Sequence, residues 1–184
     1  MTIRKQNQET VKKVKFWKGF YILTFFLGMV LMIFEINIYR KTIIDSSILF
    51  PIILVIGLVT FYFNKHHYNK TCLLTGNFFP LIQNLFSWGF ISCYAFMATN
   101  YYLADKTTTE YKFLIKEKSS MPVDDDHHWS ERKPLVRIDY FNFEKELVFY
   151  YVDKEKVDKA DSVILSVRKG GLGFDIIDEY DVFN

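Results

Sequence analysis

Three apolar runs occupy the first 103 residues, and a period-two alternation fills most of the 81 that follow. The longest run, 78–103, holds no Asp, Glu, Lys, Arg or His in 26 residues. At about 1.5 Å of rise per residue it is long enough to cross a hydrocarbon layer of about 30 Å as a helix. Pro80 falls in its first turn, where the missing N–H breaks no hydrogen bond. Residues 16–38 predict a first span, and 48–63, with Pro51 in the first turn, a second and slightly short one. Periodicity alone would also allow a buried strand or a core helix over 48–63, but two neighbouring runs favour a membrane helix.

Between the runs the chain is polar. Asp45, Ser46 and Ser47 offer N-caps for the second span, and Gly76-Asn77 closes a second loop over 64–77 that carries Lys65, His66, His67 and Lys70. Residues 1–15 form a basic N-terminal segment, expected to be a short helix leading into the first span. A cleaved signal peptide is the competing reading. The apolar run is long for one, and no small-residue cleavage site follows it.

From residue 105 onward, alternation predicts strands over 110–116, 135–141, 146–152, 162–168 and 174–182. Tyr111, Phe113 and Ile115 share one face. So do Val136, Ile138 and Tyr140; Leu147, Phe149 and Tyr151; and Val163, Leu165 and Val167. Residues 142–145 read as a turn, and Gly170-Gly171 as a tight one. The polar insert 117–134 is long for a hairpin. The expected fold is an α+β membrane protein: three transmembrane helices within 16–103, followed by a small antiparallel β-domain of about five strands over 104–184.

Charge divides the chain in the same way. Residues 1–103 carry ten Lys or Arg against three acids, and residues 104–184 carry thirteen against eighteen. Basic residues flank apolar segments and form no stripe interleaved with aromatics, which points to a membrane and away from nucleic acid. By the positive-inside rule the N-terminus and the second loop face the cytoplasm. After three spans the β-domain then lies outside it, and a prokaryotic inner membrane is the expected location. Cys72 and Cys93 should lie at different depths, so no disulfide is expected.

Trp17, Lys18, Glu35, Tyr39 and Arg40 sit near the ends of the first span and read as interfacial anchors. Glu35 is the one acid inside an apolar run. The alternatives for it are a functional intramembrane carboxylate and an anchor near Arg40, of which the anchor is expected. Asn84, Ser87, Ile91, Ala95 and Ala98 recur at spacings of three and four, a small and polar face suited to packing against helices or a partner. A polar conduit is the sharper alternative, although three helices leave little lumen.

The densest chemical cluster is Asp124, Asp125, Asp126, His127 and His128. These are ligand types for zinc or another divalent ion, but contiguous residues in a long insert more simply make a solvated loop tip. His66 and His67 cannot complete a site with them across the third span. The run from Arg168 to Gly173 has neither dinucleotide-binding nor Walker spacing and reads as a hairpin turn. No nucleophile-elbow, zinc-protease or C-x-x-C motif is present in the sequence.

No cofactor is expected. The expected partners are the lipid bilayer and a protein partner or a second copy. The leading functional expectation is a non-enzymatic, membrane-anchored protein that presents its β-domain to a protein or to the cell envelope. An accessory subunit of a transport complex is the second reading, and a metal-dependent membrane enzyme the third.

Overall fold

The computed structural model describes residues 2–121, 132–141 and 143–183, with the side chains of the first helix from Val11 onward. It contains three long apolar helices and a curled five-stranded antiparallel sheet, the expected α+β layout. The chain packs as two compact units. One comprises residues up to Arg40 together with Ile44–Thr99; the other comprises Lys41–Ile43 together with the chain from Asn100 onward.

In the helical unit α1 (Thr2–Lys41) is unbroken, so the basic N-terminal segment and the first apolar run form one element. The second helix, α2 (Ser46–Cys72), begins where Asp45 Oδ1 accepts the Ser47 N–H at 2.8 Å. It does not stop at residue 63. No residue between Asn64 and Cys72 lacks an N–H or needs a turn conformation, so the helix runs on. It ends when Leu73 adopts φ 57° and the Leu74 N–H reaches the Asn69 carbonyl at 3.1 Å. The expected loop over 64–77 thus shrinks, and Lys65, His66, His67 and Lys70 lie on a helix.

The third helix, Phe78–Tyr102, consists of α3 (Phe78–Asn84), a π-helical turn (Leu85–Gly89) and α4 (Phe90–Tyr102). The π turn inserts one residue into the hydrogen-bond ladder and rotates everything after it. Gly28 of α1 lies against this turn, where an added Cβ would collide with the Phe86 carbonyl. A bare Cα there lets the two backbones approach closely, as small residues do in membrane helix pairs.

The sheet order is β3-β2-β1-β4-β5. The central strand β1 (Thr108–Ser120) pairs through its first half with β4 (Ser162–Lys169) and through its second half with β2 (Pro134–Tyr140). Strand β3 (Phe143–Val148) returns beside β2, and β5 (Asp175–Phe183) beside β4. The expected turn over 142–145 is tighter: Tyr140 pairs with Phe143, and Lys145 is already in the strand. Tyr151 leaves its expected face for a 3-10 turn, Tyr151–Asp153, ahead of the short α5 (Lys154–Lys159). The insert is shorter than 117–134 because β1 continues to Ser120, opposite Pro134.

One face of the sheet carries the core. Val136, Ile138, Leu147, Val163, Leu165, Ile177 and Val182 are buried against one another and against Val157 of α5, with Tyr111, Phe113 and Ile115 half-buried at the edge. Full burial of such a side chain contributes roughly 1.5–3 kcal/mol. A register shift opposite Ser166/Val167 lets Ile177 and Val182, five residues apart, both face this core, whereas Ile176, paired with Arg168, is buried outside it. The curl brings β3 and β5 together from opposite ends of the strand order: the Tyr180 hydroxyl donates to the Val148 carbonyl at 2.6 Å, and its ring meets Phe149 edge-on at 5.0 Å.

The close approach at Gly28 yields a direct expectation. Gly28→Ala should destabilise the detergent-solubilised chain by about 1–3 kcal/mol of overpacking and so lower its thermal unfolding midpoint. Tryptophan fluorescence during heating would show it, and an unchanged midpoint would contradict the helix contact.

Candidate functional site

Two features stand out, one in each unit. In the helical unit the polar side chains form ties between helices. Gln83 Nε2 donates to the Tyr21 carbonyl at 2.7 Å, the Tyr21 hydroxyl meets His67 Nδ1 at 2.7 Å, and Asn64 Nδ2 donates to Asn84 Oδ1 at 3.2 Å. Asn84 and Ser87 are buried and also bond back to carbonyls one turn earlier, Pro80 at 2.7 Å and Gln83 at 2.5 Å.

Beyond the π turn the expected face does not continue. Ile91 and Ala98 are half-buried and Ala95 is exposed, whereas Cys93, Met97 and Asn100 are buried. The extra residue in the π turn accounts for the rotation.

Glu35, read from the sequence as an interfacial anchor, is a buried carboxyl. It is 8% exposed, and its Oε1 accepts from the Cys93 thiol at 3.0 Å while Oε2 has no hydrogen-bond partner among the described residues. It stands more than a turn inside α1, on the side facing α4, which explains why it meets Cys93 and not Arg40. Trp17 stacks edge-on against His67 at 4.6 Å. Lys18 and Tyr39 are half-buried and Arg40 is exposed.

In the β unit the link between α1 and α2 is part of the sheet. Thr42 forms a bridge with Ile176 on the outer edge of β5, and the Ile43 N–H donates to the Asp175 carbonyl at 2.8 Å. Ile43 then enters the core. From the opposite edge, Lys145 of β3 donates from Nζ to the Thr42 carbonyl at 2.8 Å. The link therefore spans the seam between β5 and β3 at the Asp175–Ile176 end.

Lys145 is 8% exposed, and burial holds its ammonium down at about 8. Beside it the Tyr140 hydroxyl donates to Asp175 Oδ2 at 2.9 Å, and Asp175 Oδ1 pairs with Lys169 at 3.0 Å. Burial and the Asp175 carboxylate together push the Tyr140 phenol well above its ordinary value.

The end of the third helix is gripped in a comparable way. Asn100 is fully buried: its Nδ2 donates to the Phe174 carbonyl at 3.0 Å, and its Oδ1 accepts the N–H groups of Leu172 at 3.0 Å and Phe174 at 3.3 Å. The Gly171 N–H adds a bond to the Asn100 carbonyl at 2.9 Å. A Cβ at Gly170 would occupy the space of the Asn100 amide. The glycine run is thus a socket for Asn100, as well as the hairpin turn expected from its spacing.

The cluster from Asp124 to His128 lies outside the described residues. Among those described, no three His, Cys, Asp or Glu side chains are grouped to hold a metal ion. Lys145 was detectable in principle, because period two places it on the face of Leu147 and Phe149. Thr42 and Asn100 carry no comparable local signal, since their partners lie far away in sequence. No protein-family model, curated protein or solved structure matches the chain.

The buried lysine makes stability depend on pH. Its folded value lies near 8 against an ordinary 10.5, so between them the unfolded chain binds a proton that the folded chain does not. Stability therefore rises with pH across that window and gains nothing from this group below it. The difference amounts to roughly 3 kcal/mol. The wild type should show a rising unfolding midpoint between about pH 8 and pH 10 relative to Lys145→Met; parallel profiles for the two would contradict the burial of a titrating ammonium.

Proposed function

We propose that this chain is an integral membrane protein without catalytic activity, whose three helices anchor a β-domain that faces outside the cytoplasm and contacts a protein partner or the cell envelope. The observation that carries the proposal is the pairing of Thr42 with Ile176 and Lys145. It keeps the α1–α2 link and the sheet on one side of any bilayer. The chain between Thr42 and Asn100 then crosses an even number of times, in keeping with α2 and the third helix both spanning.

The helices have the lengths and surfaces for this role. The apolar stretches Val11–Lys41, Ser46–Cys72 and Phe78–Tyr102 hold 31, 27 and 25 residues, about 38–46 Å of helix. Phe26, Val30, Phe34, Leu54, Val55, Val59 and Phe63 lie exposed on α1 and α2, an arrangement suited to lipid and costly in water. The contact between Trp17 and His67 brings the basic flanks of α1 and α2 to one end, and by the positive-inside rule that end is cytoplasmic.

A topology map tests the proposal. Reporters fused at the N-terminus and inserted at Gly76 should report the cytoplasm, and one fused after residue 184 should not. Cytoplasmic activity of the last fusion would refute the orientation and the envelope-facing role together.

A further inference from the structure

Both hairpin turns of the sheet open at the end where the chain arrives from the third helix. Thr108 of β1 pairs with Arg168 just before the β4–β5 turn. Strand β2 runs antiparallel to β1, so its turn into β3 points the same way. The two turns are joined by the bond between Tyr140 and Asp175. The β4–β5 turn holds Asn100, in the last turn of α4.

This end carries an apolar rim. Tyr102 and Leu103 are 70% and 69% exposed at the close of α4, and Leu172 is 43% exposed at the tip of the β4–β5 turn. Phe141, at the tip of the β2–β3 turn, is 66% exposed. Its ring meets Tyr111 and Phe113 edge to face at 5.6 Å each and Tyr140 at 4.9 Å, so it belongs to a four-ring cluster.

Phe141 also has φ 46°, a backbone region that a bulky residue occupies only at a cost. An asparagine or glycine would relieve both the strain and the exposure. A strained aromatic held out at a turn tip points to something that covers it.

We infer that this rim is seated in the headgroup and upper acyl region of the bilayer, with Phe141 and Leu172 as lipid-contacting tips of the β-domain. The inference rests on the reading that the helices span a membrane. Lipid is favoured over a protein because Leu172 follows Gly171, which packs against Leu103 at the close of the third helix, and Phe141 is tied to the same turn through the Tyr140–Asp175 bond. Tyrosine is enriched at that depth, where an apolar ring and a polar hydroxyl are both accommodated, and Tyr102 is the rim residue of that type. Lys169 and Arg168 beside the β4–β5 turn are each paired with a carboxylate at 3.0 Å, Asp175 and Asp178, and the Arg168 guanidinium lies 5.1 Å above the Tyr101 ring.

The experiment is photo-crosslinking of the full chain in phospholipid vesicles, with p-benzoylphenylalanine placed singly at Phe141, Leu172, Val152 or Phe26. Val152 is 91% exposed near the start of α5, away from both turns, and Phe26 is exposed on α1. Mass spectrometry should find lipid adducts at Phe141 and Leu172 several-fold above Val152 and comparable to Phe26. Adducts at Phe26 with none at Phe141 and Leu172, or protein adducts at those two tips, would overturn the rim's placement while leaving the membrane reading intact. Absence of lipid adducts at Phe26 as well would overturn both.

Discussion

A curled sheet that stops short of closing leaves a row of backbone donors and acceptors along its last strand, and the rest of this structure depends on how that row is satisfied. Here the link between the first two helices takes the vacant place. Thr42 bridges Ile176, the Ile43 N–H reaches the Asp175 carbonyl, and the Lys145 ammonium closes from the other edge onto the Thr42 carbonyl. Unpaired strand edges invite association with other chains. A sheet edge paired at its start from within its own chain is protected there, and the sheet is fastened to two helix connections instead of one.

The second fastening is the Asn100 socket. One side-chain amide satisfies three backbone groups of the β4–β5 turn. A turn built from Gly170, Gly171 and Gly173 would otherwise be entropically expensive to order. The buried lysine works against stability in the same region, since its ammonium loses water and is held by a carbonyl. The sheet therefore combines a firm socket with a seam closed by a buried lysine.

Local pattern made the architecture legible wherever a residue's environment depends on its immediate neighbours. The apolar runs marked all three helices, and alternation placed Tyr111, Phe113 and Ile115 on one face because a strand repeats every two residues. Legibility failed where distant segments decide the outcome. Asn64 to Cys72 looked like a loop because it is polar, yet helix continues through polar residues until something stops it, here Leu73. Glu35 looked like an anchor because Arg40 is near in sequence, but helix packing turned it toward Cys93. The face drawn through Ala95 assumed an unbroken helical period that the π turn interrupts.

The central claim is that the α1–α2 link is a working part of the sheet. A disulfide between Thr42→Cys and Ile176→Cys, in a background of Cys72→Ser and Cys93→Ala, tests it most directly, because residues bridged across an antiparallel pair lie about 4.5–5.5 Å apart at Cα, within disulfide range. The account predicts rapid, near-complete intramolecular oxidation in the folded, detergent-solubilised chain, read as a mobility shift reversed by reductant. Failure to oxidise in a chain that still unfolds cooperatively on heating would contradict it.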